Sequence, residues 1–437
     1  MSQVDLIAEK IKLGRLLSLS PAALEQYDAL DAATLRALRE QISDSLFDDS
    51  RGMLERVASA SRLLPNALVA SVGERSFGPM LCARITGLLS PERAAALAAH
   101  MPDEFLADVA MQLDPRSARG VIAQLGKERV VAVAKVLLAR GEHVTLGRFV
   151  DFLDLDIIAA VVEVILHEAV LLDIAFYIEA KPRISELAGL LPEPRLRALI
   201  LHAGDGDGDT WVASLALMSH LNDDWRRRIG DIVVSEGEVF LTRLVDAAHA
   251  HDLWDAMLPI VGSMTDAARL TLAAMPALGR VEVLESVVRA AHRGRLWPDF
   301  LPLVAALHVD ARRVAASVVE VLPEAMLLDI IDTAHAHRLW PALLGLVAQM
   351  TPSEARTALR LLVQQELEVL HALLEAVDGT LVSWGELLPH VDHLHDDDVT
   401  LLARVFEDPA RASALSALRA AAEQDGRWER LEPLLTR

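Results

Sequence analysis

The densest group of potential metal ligands is His390-Val391-Asp392-His393-Leu394-His395-Asp396-Asp397-Asp398. His390 and His393 stand three apart, so one helix end turns both toward Asp396 or Asp397, a donor set suited to zinc or nickel. Asp205, Asp207 and Asp209 fall on positions one, three and five of a calcium loop. Thr210 stands where that loop needs glycine, and Ala216 where it needs a bidentate glutamate. The first group reads better as a helix cap with solvated histidines, and the second as an acidic connector; neither is assigned a metal. His249, His292 and His335 recur once per repeat, too far apart to share an ion. Their place near helix ends predicts side chains that bond free carbonyls. Cys82 lies in an apolar run and reads as an inert core thiol. No phosphate-binding glycine loop, nucleophile elbow, zinc-protease motif or Cys pair is present. The expectation is a non-enzymatic protein without a cofactor.

The elements that carry these residues follow a fixed beat. Trp211, Trp254, Trp297, Trp340, Trp384 and Trp428 are separated by 43, 43, 43, 44 and 44 residues. Ala248-His249, Ala291-His292 and Ala334-His335 precede the tryptophan at a constant distance. A period in this range, filled with helix formers, marks a stacked helical repeat. From Trp297 the unit reads as three short helices. The first runs through Leu301, Val304 and Leu307, and the second, capped by Asp310, through Val314, Val318 and Val321. The third, after Pro323, buries Met326, Leu327, Ile330 and Ile331. Thr351-Pro352-Ser353-Glu354 reads as a capping box at the second helix of the next unit. The tryptophan falls at the corner between one unit and the next, where a large rigid side chain acts as a buried wedge.

Composition narrows the function classes. Hydrophobic residues make up 52% of the 437 and aromatics 4%, a helix-rich balance with few strand formers. Forty-two basic and 63 acidic residues leave a net charge of −21, which excludes a general role in binding nucleic acid and disfavours anionic membranes. A single cysteine allows no internal disulfide and fits a reducing cytoplasm. Met1-Ser2-Gln3-Val4-Asp5, with Glu9 and Lys10 soon after, lacks an apolar run, so no export signal is expected. Leu155 to Ile178 is the most apolar stretch, but Glu163, Glu168 and Asp173 point to different sides of a helix, so it is expected inside the protein rather than in lipid. The expected location is cytoplasmic.

Residues 1–85 read as an N-terminal helical segment, with a loop over Ser43 to Gly52. A shorter beat follows. Leu89-Ser90-Pro91-Glu92-Arg93, Met101-Pro102-Asp103-Glu104, Leu113-Asp114-Pro115-Arg116 and Leu125-Gly126-Lys127-Glu128-Arg129 recur every 12–13 residues. Each opens an apolar run. Residues 86–140 resemble the cytosolic N-terminal domain of MgtE-type magnesium transporters, a superhelix of short helices, and a related array in a flagellar motor-switch protein. The closest phrase is Leu89-Ser90-Pro91-Glu92-Arg93-Ala94-Ala95-Ala96-Leu97. The resemblance implies the fold of residues 86–203. In that family acidic residues at the domain's contacts bind magnesium, but no acidic pair here matches those ligands. The fold is carried over and the magnesium site is not.

The expected architecture is thus all-α: a right-handed helical-repeat superhelix, an α-solenoid of the HEAT/armadillo kind, with the Trp-punctuated repeats over 204–437. A break between arrays is expected near Lys181-Pro182 or across Gly204 to Asp209. The expected function is a scaffold that binds another protein; the alternative is a divalent-metal-responsive regulatory module. Glu282, Glu285, Asp329, Asp332, Glu366, Glu368 and Glu375 fall on the third helix of successive units. They are expected to form an acidic stripe for a partner's basic segment.

Overall fold

The computed structural model describes residues 3–48, 51–206, 208–319, 322–351, 355–377, 383–391, 394–407 and 412–435. Among these residues the chain forms thirty α-helices and a few short 3-10 and π turns, with no strand. The α-helices run from 6 to 17 residues, too short to persist alone in water. No described helix is long and apolar enough to cross a membrane. Leu155 to Ile178 is instead two helices, Leu155–Val164 and Glu168–Phe176. The chain divides into two compact units, residues 1–221 and 222–437. Trp211 and its helix Gly208–Met218 belong to the first.

In the first unit, helices pack on the helix two further along. Gly78–Thr86 lies on Asp103–Gln112, Pro91–Ala98 on Pro115–Gln124, and Asp103–Gln112 on Lys127–Ala139. The core is a series of small clusters, including Leu13 with Leu24 and Leu35, Leu54 with Ala58 and Ile85, and Phe105 with Val109 and Ile122. Near Gly147 the chains approach so closely that a Cβ would meet the Ile174 carbonyl oxygen at 2.6 Å.

The phrase repeat gains its physical reason here. A short helix leaves its last carbonyls without partners. Arg93 donates to the carbonyls of Ser61 (2.7 Å) and Leu64 (3.1 Å). Arg129 donates to those of Ala98 and Met101. Arg183 reaches Val150 and Leu153, and Arg195 reaches Val162 and Ile165, both at 2.8 Å. Each arginine stands near the start of one helix and forks across two carbonyls, three residues apart, about thirty residues earlier. The third phrase departs from this pattern: Arg116 folds back on Asp114, the N-cap of its own helix.

The second unit closes its corners differently. Trp254, Trp297, Trp340, Trp384 and Trp428 each open a helix. The first three are 1%, 0% and 3% exposed, so they are wedges rather than a ligand-facing row. Helix Trp254–Ser263 packs on Trp297–Ala306, and that helix on Trp340–Val347. Before Trp254, Trp297, Trp340 and Trp428 one residue turns left-handed: Asp252, Arg295, Arg338 and Gly426, with φ of 51°, 53°, 57° and 69°. The next amide then reaches back to a buried alanine carbonyl: Leu253 to Ala248, Leu296 to Ala291, Leu339 to Ala334 and Arg427 to Ala422, at 2.7–2.9 Å. The left-handed residues donate to the carbonyls of His249, His292, His335 and Glu423. These paired bonds are a Schellman closure.

The histidines therefore act through their backbone, which corrects the expected side-chain capping. The His292 and His335 rings lie 6.3 and 6.0 Å from the indoles of Trp297 and Trp340, and neither Nδ1 has a hydrogen-bond partner. His249 Nδ1 meets Ser286 Oγ at 3.0 Å. The backbone already satisfies the carbonyls, so the rings are free to pack.

Smaller expectations also shift. Asp310 sits inside the first turn of Val309–Val319 rather than before it, and Met326 is only half-buried. Helix Ala32–Asp48 runs through most of the stretch expected as a loop. Val321 and the Pro352-Ser353-Glu354 part of the capping box lie outside the described residues.

Two outcomes follow from the corner chemistry. Arg195→Ala strands two carbonyls and should lower stability by about 1–3 kcal/mol, and Arg195→Lys should not restore it, because an ammonium cannot fork as a guanidinium does. Arg338→Gly relieves a left-handed side chain and should raise stability by about 1 kcal/mol. Denaturant melts of the three variants check both.

Candidate functional site

Two assemblies of charged side chains stand out, one in each unit. The first is buried and gave no sequence signal. Helix Gln3–Leu17 carries Asp5, Glu9 and Lys12, spaced to share one face. Such a pattern reads as a solvated stripe, yet Glu9 is 1% exposed, and Lys12 and Arg39 are 4% each. Glu9 Oε1 accepts from Lys12 Nζ at 2.9 Å and Arg36 Nε at 3.2 Å, and its Oε2 accepts from Arg39 Nε at 3.1 Å. Glu179 Oε1 accepts from Arg39 Nη2 at 2.9 Å and lies 3.2 Å from Lys12 Nζ. Asp151 Oδ2 holds the backbone amides of Glu179 and Ala180 at 3.1 and 2.8 Å, which fixes Glu179 in the cluster. Lys181 Nζ pairs with Asp5 Oδ1 at 3.2 Å.

The electrostatics follow from burial and neighbours. Burial pulls the Lys12 ammonium below its ordinary value, against the pull of Glu9 and Glu179. Burial opposes ionisation of Glu179, but Lys12, Arg39 and Arg36 together hold its carboxyl below the usual range. Burial raises the Asp151 carboxyl despite its two amide donors. The arrangement binds and orders charge.

The second assembly is the acidic face of the second unit. Glu282 and Glu285 are exposed on Val281–Gly294. Asp332 is exposed on Glu324–Ala336. Glu366 is the N-cap residue of Leu367–Ala376, which exposes Glu368 and Glu375. These are the third helices of their units; Glu238–Ala250 packs on Val281–Gly294, and Glu324–Ala336 on Leu367–Ala376. Arg289 shares the exposed face of Glu282 and Glu285, and Glu324 pairs with Arg360, so the face is acidic but punctuated by arginine. Asp329 stands apart. It is half-buried, and its Oδ2 accepts from Trp297 Nε1 at 2.8 Å. Its carboxylate partners a core indole.

The metal-ligand candidates do not gather into a donor set among the described residues. His390 is 4% exposed with Nε2 at 3.3 Å from the Ala348 carbonyl oxygen, and Asp398 is buried as well. Asp396 and Asp397 open the helix Asp396–Ala403; His393 lies outside the described residues. Asp205 ends one helix and residues 208–218 form the next, so the later positions of the supposed calcium loop are helical. Asp207 is outside the described residues, as is the side chain of Asp209. Burial pushes the half-buried Cys82 thiol up to about 11, which keeps it protonated at neutral pH.

One carboxylate that the sequence did not flag is Asp299, in the first turn of Trp297–Ala306. It faces Gly262 of the preceding Trp-led helix, where a side chain on residue 262 would collide with it. Burial pushes its carboxyl up to about 6, and Asp223 adds to the shift while Arg226 and His337 oppose it. No family model, curated protein or solved structure matches the chain.

Asp299 sets a pH dependence with a definite sign. The folded carboxyl titrates near 6, above the ordinary 3.8, so between those values the folded state holds the extra proton. Stability should fall as pH rises through that window, with the full penalty present above it. Asp299→Asn removes the penalty. Its melting point should exceed the parent's at pH 7 and converge with it near pH ~4; an equal gap at both would exclude Asp299 as the titrating group.

Proposed function

We propose that this protein is a cytoplasmic, non-catalytic scaffold that docks a basic segment of another protein on the acidic third helices of its second unit. The reading takes each unit as part of a right-handed helical-repeat superhelix of the HEAT/armadillo kind. What supports the superhelix is the regular stacking: helix on next-but-one helix in the first unit, and Trp-led helix on Trp-led helix in the second. A stack of this sort needs no central pocket and leaves one helix per repeat free for contact.

The observation that carries the docking reading is the placement of the carboxylates. Helix Val281–Gly294 buries Val283, Leu284, Val287, Val288, Ala290 and Ala291, and what remains for solvent begins with Glu282 and Glu285. Glu366, Glu368 and Glu375 are likewise exposed at or on Leu367–Ala376. The exposed apolar Val281 and Leu367, 49% and 41% accessible, adjoin these acids and offer the anchors that a charged surface alone lacks. Complementary charge then sets partner choice and encounter rate, while the apolar contacts slow dissociation.

Charge reversal tests this. Asp329 is unsuitable, because a lysine there would meet the Trp297 indole. Glu285→Lys, Asp332→Lys and Glu368→Lys together alter exposed positions only. An arginine- and lysine-rich amphipathic peptide should bind the parent, and raising salt from ~0.05 to ~0.5 M should weaken it, as the Debye length shrinks. The triple variant should lose binding by about tenfold or more while melting within about 1 kcal/mol of the parent. Undiminished anisotropy of the labelled peptide with the triple variant at low salt would exclude this face.

A further inference from the structure

The buried cluster of the first unit is out of balance. Lys12, Arg36, Arg39 and Arg148 gather around Glu9 and Glu179, with Glu40 at the edge, 3.9 Å from Arg39. Three of these cations have partners. Arg148, on His143–Val150, has no hydrogen bond or ion pair among the described residues, and its Nε is buried. Among the described residues three arginines have a buried, unpartnered Nε: Arg93, Arg129 and Arg148. Arg93 and Arg129 place their Nη atoms on helix-end carbonyls; Arg148 does not.

A guanidinium stays charged in proteins, so Arg148 cannot escape burial by losing its proton. Arg39 is the like-charged neighbour that most opposes it. The carboxylates that attract Arg148 most are Glu179, Asp114 and Glu9, and all are committed elsewhere. Glu179 is shared by Lys12 and Arg39, and Glu9 by Lys12, Arg36 and Arg39. Asp114 accepts four hydrogen bonds from the side chain and backbone amide of Arg116 at 2.6–3.2 Å, plus one from Ser43 Oγ at 3.3 Å. In a chain of net charge −21, a buried guanidinium held beside carboxylates that are already committed to other cations favours a counter-anion.

We infer that the first unit binds a small dianionic oxyanion of the phosphate type at Arg148, with Arg39 as the neighbouring cation. The flat guanidinium offers parallel N–H donors, the geometry that suits phosphate and sulfate oxygens. Arg148 is only half-buried as a residue, so its head is within reach of solvent while Nε is not. The bound anion offsets the Arg148 charge beside the cluster that ties Gln3–Leu17, Ala32–Asp48 and Glu179 together. Occupancy therefore stabilises the first unit.

The test is thermal unfolding of the full chain in buffer free of oxyanions, titrated with inorganic phosphate, sulfate, malonate or chloride at matched ionic strength. Phosphate and sulfate should raise the midpoint with the logarithm of concentration, and chloride should not. Arg148→Met should melt no lower than the parent without phosphate, since it removes an uncompensated buried charge, and should lose the phosphate response. Should that variant fail to fold, Arg148→Lys serves, with an expected loss of affinity of about tenfold because the donor fork is gone. Absence of a phosphate shift in the parent, or an unchanged shift in Arg148→Met or Arg148→Lys, overturns the site. A response to malonate alone overturns the phosphate assignment, and a glycerol phosphate arm distinguishes a phosphate monoester from the free ion.

Discussion

The constraint on which the structure depends is the unsatisfied backbone at the ends of short helices. Every helix leaves several N–H and C=O groups without partners, and shorter helices make those ends a larger share of the chain. With thirty α-helices among the described residues, the corners govern the fold. The first unit meets the demand with arginines that fork across two carbonyls of an earlier helix. The second unit meets it after its third helices with a left-handed residue and a backbone closure onto a buried alanine carbonyl, and after Trp254–Ser263 and Trp297–Ala306 with carbonyl bonds from Arg269 and Arg312. The two devices differ in what they couple. An arginine ties one helix to another, whereas a backbone closure finishes a single helix and delivers the next one at a set angle. Tryptophan then supplies, by burial, the contact between helices that the closure omits.

This division explains where charge is placed. Arginines drawn into the first unit bring a cost, because each buried guanidinium needs an acceptor. Carbonyls suffice for Arg183 and Arg195; carboxylates are required for Arg36 and Arg39, and Glu9 and Glu179 supply them. Arg148 lies beyond that supply. In the second unit the backbone closures after the third helices use no side-chain charge, so carboxylates are left for the surface of those helices. Asp329 is the exception, drawn inward by the Trp297 indole, while the Nε1 atoms of Trp254, Trp340 and Trp428 are buried without a hydrogen-bond partner.

The same logic accounts for the histidines. A recurring Ala-His pair before a recurring tryptophan looks like a side-chain device. Its alanine is needed because the helix is closely packed at that turn, with Ala291 and Ala334 fully buried. Its histidine packs against the following indole and lends only its carbonyl to the corner.

The sequence alone determined that the chain is helical, that a helix starts at each tryptophan of the second unit, and that the tryptophan there is buried. Period and turn chemistry are local, and a wedge repeated at constant spacing permits only one kind of environment. The phrases ending in Arg93 and Arg129 were visible, but their meaning was not, because the carbonyls they hold lie about thirty residues away. Only tertiary structure decided that Asp5, Glu9 and Lys12 face inward, since a charged helix face looks the same whether water or Arg39 and Glu179 cover it. It likewise separated Asp329 from Asp332, three residues apart on one helix, by placing an indole against the first and solvent against the second. Spacing fixes which residues share a face; what that face meets depends on the packing of distant helices.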